Sequence, residues 1–187
     1  MKYLIVGLGN IGPEYANTRH NIGFIIADAL CQKLEGRFTT ERYAQVAALK
    51  HRGKQVITIK PTTYMNLSGK ALQYWLREEN IPMENLLVLV DDIALPTGQL
   101  RMKKKGGDAG HNGLEHIIQT LGTNEFSRLR FGIGDDFPRG RQVDYVLGEW
   151  SRSETELILP RVDVAVDMVL SFVVAGIERT MTTFNNK

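Results

Sequence analysis

The sequence predicts an α/β fold: a single domain over residues 1–187, with helices flanking a twisted mixed, mostly parallel sheet. Apolar runs of strand length alternate with segments of helical period. Residues 86–90 (LLVLV) are apolar at every position, as a strand buried on both faces requires. A pair of runs around a tight turn adds a hairpin and makes the sheet mixed. A chain of 187 residues is near the size of one domain and buries roughly 70% of the surface it exposes when unfolded, so it needs no disulfide or metal to hold it together.

In order, residues 2–7 (KYLIVG) form the first strand, ended by glycine. Residues 7–21 (GLGNIGPEYANTRHN) hold too much Gly, Pro and Asn for a regular element and make an ordered loop. Ile22, Ile25, Ile26, Ala29, Leu30 and Leu34 recur at helical spacing, and Gly36 stops that helix. Residues 44–50 and 55–60 form the hairpin, halted by Pro61. A polar loop at 62–66 leads into a helix over 67–79, with Asn66 or Ser68 as its cap. The strand at 86–90 runs into Asp91 and Asp92, at the kind of strand end where α/β proteins bind ligands. Residues 100–103 make a short exposed strand and 105–113 (KGGDAGHNG) a loop. A helix through 116–121 sets Leu114, Ile117, Ile118 and Leu121 on one face and stops at Gly122. Residues 128–134 (RLRFGIG) alternate as a strand. Ser153 and Glu156 have capping-box spacing ahead of a C-terminal helix striped by Val162, Val166, Val169, Val173 and Ile177, which Pro160 is expected to kink or restart.

A composition of 43% hydrophobic and 24% charged residues with 6 Pro excludes disordered, collagen-like and coiled-coil classes. The longest nearly apolar run, 162–177, contains Asp163 and Asp167 and is shorter than a membrane span, and the opening residues lack a signal-type apolar core. A cytoplasmic protein without membrane contact is expected. Cys31, the one cysteine, sits among Ile26, Leu30 and Leu34 as a buried structural thiol and excludes an internal disulfide or a Cys-based zinc cluster. The net charge of +2, from 23 basic and 21 acidic residues, gives by itself no sign of a nucleic-acid partner.

Gly7-Leu8-Gly9-Asn10-Ile11-Gly12 matches the dinucleotide-binding fingerprint as a string. The fingerprint works only if a helix begins inside it and turns its N-terminal amides to the pyrophosphate. Here Pro13 follows, the helical pattern waits until about Ile22, and Glu35, the acid at the expected distance, falls at a helix end. No cofactor is expected.

Four loops at element ends hold amides and imidazoles: Asn10 with Tyr15 and His20; Tyr64, Met65 and Asn66; Asp91; and His111 with Asn112. They hold no activated serine or cysteine. His111 and His116, five apart, lack the i, i+4 spacing of a zinc-binding helix, so no metal is expected. A histidine oriented by a carboxylate, with no nucleophilic side chain, suits activation of water: one ring nitrogen is fixed and the other takes a proton. Asparagine amides then donate to a developing oxyanion, and the reaction class is hydrolysis of an activated acyl group. Plainer readings stand beside these: Asn66 as a cap, His20 as a surface histidine, Tyr15 and Tyr64 as packing residues rather than stacking platforms. The cations Arg101, Lys103, Lys104 and Lys105, with Arg128, Arg130, Arg139 and Arg141 further on, read either as a protected sheet edge or as a phosphate-tracking patch.

The segments VGLGNIGPEYANTRHNIG, KPTTYMNLSGKA, VDDIALPTG, GGDAGHNGL and RLRFGIG, in this order and spacing, resemble the bacterial-type peptidyl-tRNA hydrolase family over nearly the whole chain through about Gly148. The resemblance implies a monomeric, metal-free esterase that cleaves the ester between a peptide and the 3′-terminal ribose of tRNA, recycling prematurely released peptidyl-tRNA in translation and ribosome rescue. It implies His20 as general base, Asp91 as the acid that holds its basic form, and Asn10 as the residue that tells peptidyl from aminoacyl ends. It puts Tyr15, Tyr64, Asn66 and Asn112 at the substrate, with Met65 and His111 in support, and Lys103 and Arg130, with Arg101 and Lys105, at tRNA phosphates. Tyr64 stands where the family often has Phe, and Asp108-Ala109 where it often has more glycine; Ala109 is not expected to reach positive-φ conformations.

Overall fold

A computed structural model describes residues 1–185. Strands β1 (Lys2–Gly7), β2 (Thr39–Glu41), β3 (Ala44–His51), β4 (Lys54–Pro61), β5 (Leu86–Asp92), β6 (Leu100–Lys103) and β7 (Ser127–Gly132) form one sheet in the order β2-β3-β4-β1-β5-β7-β6. The centre is parallel, β1 pairing with β4 and β5, and β5 with β7. The β2–β3, β3–β4 and β6–β7 pairs are antiparallel, so the sheet is mixed. Helices α1 (Ile22–Lys33), α2 (Ser68–Glu78), α3 (Asn112–Leu121), α4 (Gln142–Val146), α5 (Arg152–Ala175) and α6 (Ile177–Phe184) complete the chain.

Alternation along the central strands builds an apolar layer on each face. Ile5, Leu87 and Leu89 pack with Ile22 and Ile26 of α1 and with Val162, Val166 and Val169 of α5. On the other face Leu4, Val6, Val88 and Val90 meet Leu72 and Trp75 of α2 and Leu114 and Ile117 of α3. Strand β5 is buried along its whole length, including Asp91 and Asp92, and Cys31 is buried in the first layer. Among the described residues, no helix is long and apolar enough to cross a membrane.

The glycine fingerprint serves packing here. A Cβ on Gly7 would lie 2.4 Å from the Gly23 carbonyl oxygen, and one on Gly23 would lie 2.6 Å from Leu8 N and Leu89 O. The chain after Gly12 makes two short 3-10 turns, Pro13–Tyr15 and Arg19–Asn21, before α1 starts, so the helix does not begin inside the glycine motif as the fingerprint requires.

Several local expectations are corrected. Neither Asn66 nor Ser68 caps α2: a 3-10 turn, Met65–Leu67, precedes it, and the Ser68 hydroxyl donates to Met65 O at 2.7 Å. His116 Nδ1 on α3 accepts from Gly69 N instead, at 3.0 Å. The capping box of α5 is Ser151 with Glu154, not Ser153 with Glu156. Helix α5 continues through Pro160, because Pro160 and Glu156 are both exposed and water can take the freed carbonyl. The break falls at Gly176, so Ile177 begins α6 rather than extending the stripe. Strand β2, whose three residues are all exposed, carries no apolar alternation by which its sequence would mark it as a strand.

Candidate active site

The parallel pairing of β1 with β5 sets Gly7 beside Leu89, so the loop leaving β1 passes over the end of β5. That end carries Asp91, buried, between two imidazoles. His20 Nδ1, on the turn before α1, lies 2.8 Å from Asp91 Oδ2, and His111 Nε2, at the N-terminus of α3, lies 2.8 Å from Asp91 Oδ1. His111 Nδ1 accepts from Gly113 N at 3.1 Å and Leu114 N at 3.3 Å, capping α3. A ring nitrogen that accepts carries no proton, so His111 donates to Asp91 through Nε2–H. Asp91 in turn draws the His20 proton to Nδ1 and leaves Nε2 with its lone pair.

Burial alone disfavours charge on both groups, but their attraction prevails. Burial raises the Asp91 pKa; the facing imidazoles and their hydrogen bonds more than reverse this and hold the carboxyl far below the usual range. Burial lowers the His20 pKa, and the Asp91 charge and hydrogen bond outweigh it, so the imidazole titrates above its ordinary value.

Asn10, His20, Tyr64, Met65, Asn66 and Asn112 line one cavity of about 490 Å³. Val143, Val146 and Leu147, from α4 and its end, form the remaining wall. Asn21, buried, fixes Asn10 by a reciprocal pair: Asn10 N donates to Asn21 Oδ1 at 2.8 Å, and Asn21 Nδ2 donates to Asn10 O at 2.9 Å. A smaller cavity of about 90 Å³ continues beneath residues 108–112, reaching Asp91 and Asp92.

The chain matches the model of the family described as peptidyl-tRNA hydrolase over residues 4–187. The chain belongs to the peptidyl-tRNA hydrolase family. It is 57% identical to the peptidyl-tRNA hydrolase of Phocaeicola vulgatus over 187 residues, all of both chains. It is 52% identical to that of Porphyromonas gingivalis over 185 residues, 99% of this chain and 100% of the relative. Its fold superposes on the crystal structure of peptidyl-tRNA hydrolase from Acinetobacter baumannii with a TM-score of 0.92 and 34% identity, covering 98% of this chain and 94% of the other.

Not every group that the sequence singled out reaches this hydrolase's cavity. Tyr15, half-buried, does not line it; its carbonyl accepts from the Thr18 hydroxyl and amide within the loop. Arg101 and Lys103 project exposed from β6, two strands from β5, and Lys105 is exposed just beyond; Lys104 pairs with Glu178 of α6. Arg130 is engaged with Asp92 by an ion pair. Arg128 is buried and donates to the carbonyls of Gly106, Gly107, Asn124 and Phe126, which takes it out of any phosphate-tracking surface. Ala109 does take a positive φ, 51°, against expectation: Asp108 accepts from Gly110 N through its side chain and from His111 N through its carbonyl, and this turn offsets a cost of about 1–2 kcal/mol.

His20, Asp91 and His111 have ligand atoms within 4.8 Å of one another, the only such trio among the described residues. Those atoms already pair as donors and acceptor at 2.8 Å, so an ion between them would have to displace both protons and spread the groups apart. Asn21 and the α4 wall were not anticipated from the sequence. The adjacency of Asn21 to His20 was the available signal for the first; α4 offers only a short, weakly apolar segment.

Proposed function

We propose that His20 is the general base of a peptidyl-tRNA hydrolase reaction, that Asp91 orients it, and that His111 fixes Asp91 from the other side. Carrying this reading is the pair of 2.8 Å bonds on Asp91, which leave His20 Nε2 free to accept a proton. His20 takes a proton from water, the hydroxide attacks the ester carbonyl between the peptide and the 3′-terminal ribose, and the imidazolium forms beside the Asp91 carboxylate. Amides of Asn10, Asn66 and Asn112 hold the peptide end and donate to the oxyanion as it develops. On collapse, the ribose oxygen leaves with the proton held by His20, releasing free tRNA and the peptide acid.

Asn10 is the group that distinguishes peptidyl from aminoacyl ends. An aminoacyl ester lacks the peptide carbonyl, leaves the amide without its partner, and sites built around such hydrogen bonds reject the analogue strongly. Tyr64, Asn66 and Asn112 contact the substrate, Met65 supports them, and Tyr15 meets it from outside the cavity. Arg101, Lys103 and Lys105 meet tRNA phosphates, and Arg130 joins them from its pair with Asp92. One chain supplies every group of the constellation, which supports action as a monomer, in the cytoplasm where charged tRNA is used. The reaction is metal-independent on this reading, because the ring nitrogens facing Asp91 are engaged with it.

The test compares release of an N-acetylated aminoacyl group from tRNA with release of the unblocked one. The blocked ester is cleaved and the unblocked one spared, and Asn10→Ala narrows the difference. Equal release of the two, or release of neither, contradicts the reading.

A further inference from the structure

A second cavity, about 220 Å³, lies behind Asn10 and takes no part in the steps above. Asn10 lines both this cavity and the one holding His20, so the two adjoin at the loop after β1. Phe24 and Ile25, half-buried apolar residues of α1, form one side, and Ile11 and Ala16 stand exposed at the mouth. The cavity is preformed. The Phe24 ring rests against Gly9, where an added Cβ would meet it at 2.7 Å, and Asn21 clamps the Asn10 main chain.

Its two charged groups, Lys60 and Asp28, are paired with each other, and Lys60 Nζ also lies 4.3 Å from the centre of the Phe38 ring. They neutralise one another. With Gln45 and Thr62 as neutral polar walls beside the apolar Ile11, Ala16, Phe24 and Ile25, the cavity suits an uncharged side chain with apolar surface and not a phosphate. Sheet order indicates which part of a substrate reaches it. The His20–Asp91 pair stands at the β1–β5 junction, with the cations of β6 on one side; the second cavity takes Gln45 from β3 and Lys60 from β4 on the other. An ester held at His20 with its ribose towards β6 directs its peptide towards β4.

We infer that this cavity is a subsite for the side chain of the peptide residue next to the ester-linked one, accepting uncharged apolar and aromatic side chains. The inference rests on the hydrolase reading above, which supplies the peptide. It makes the enzyme selective for a side chain of the peptide, where Asn10 reads only the main-chain carbonyl of the same residue.

The test uses N-acetyl-dipeptidyl-tRNAs with glycine at the ester and glycine, leucine, phenylalanine or glutamate before it. With the unmodified protein, KM for the leucine and phenylalanine substrates falls about tenfold below that for glycine, as burial of an apolar side chain in a partly open pocket predicts, and glutamate gains nothing. Gln45→Trp and Ala16→Trp fill the cavity from separate elements. In either variant that still turns over the glycine substrate, the leucine-to-glycine ratio drops to about one; if neither folds, the unmodified protein decides alone. Equal KM for all four substrates, or a leucine preference surviving both fillings, overturns the subsite. Failure of the unmodified protein to cleave even the glycine substrate overturns the hydrolase reading, and the subsite with it.

Discussion

His20 Nδ1 and Asp91 Oδ2 lie 2.8 Å apart, and this contact sets both the tautomer and the charge balance of the site. The pairing raises the His20 pKa against the opposing effect of burial. The neutral base is thus populated only above a value shifted upward from ordinary histidine, and kcat/KM climbs through it before levelling. In Asp91→Asn the carboxylate charge is gone while burial stays, so the inflection moves to lower pH. The plateau falls by about 10²–10⁴, the usual worth of a correctly poised base. A pH–rate profile of the two proteins checks both shifts; an unmoved inflection contradicts the pairing.

His111 joins two roles that substitution can separate. His111→Ala uncaps α3, costing about 1 kcal/mol of stability, and frees Oδ1 of Asp91. His111→Asn restores a good capping side chain without the imidazole bond to Asp91. Thermal melts and turnover of the two variants are expected to diverge: stability returns in His111→Asn while the rate stays low.

Asn21→Ala removes both hydrogen bonds that hold the Asn10 backbone in a buried setting, at a cost of about 1–3 kcal/mol. Because the Asn21 side chain hydrogen-bonds to the Asn10 main chain and not to the His20 or Asp91 side chain, the pH inflection stays in place while the preference for blocked over unblocked esters shrinks. Rates on the two esters at several pH values separate these effects.

Affinity for tRNA falls with salt, log K declining by about 0.7–0.9 per phosphate neutralised for each log unit of salt. Lys103→Gln, at an exposed position on β6, lowers that slope by about one phosphate and leaves stability unchanged. Arg130→Gln lowers the slope too, but also destabilises the fold, because it leaves buried Asp92 without its partner. Binding titrations over a salt series, with urea melts alongside, distinguish the two. A flat response in the unmodified protein makes the β6 cations a protected edge and nothing more.

Much of this arrangement is legible along the chain, and the part that is not has a common cause. The apolar run of β5, the loop after β1 and the helix stop at Gly122 are local patterns, and a central strand ending in acids beside that loop already points to the site. The capping partner of α5, the Asn21 clamp and the burial of Arg128 depend on which of several near-equivalent polar groups meet in space. Ser151 and Ser153 have the same spacing to an acid, and only the packed helix start selects the first. Arg128 and Arg130 stand two apart on one strand, and so on the same face, yet one reaches loop carbonyls and the other Asp92. Charge counted along the sequence does not distinguish them.

The most direct test of His20 as the base is single-turnover cleavage of N-acetylated aminoacyl-tRNA by His20→Ala, with tRNA affinity measured in parallel. Nearly complete loss of cleavage with affinity retained is the predicted result. Cleavage at the unmodified rate contradicts the assignment.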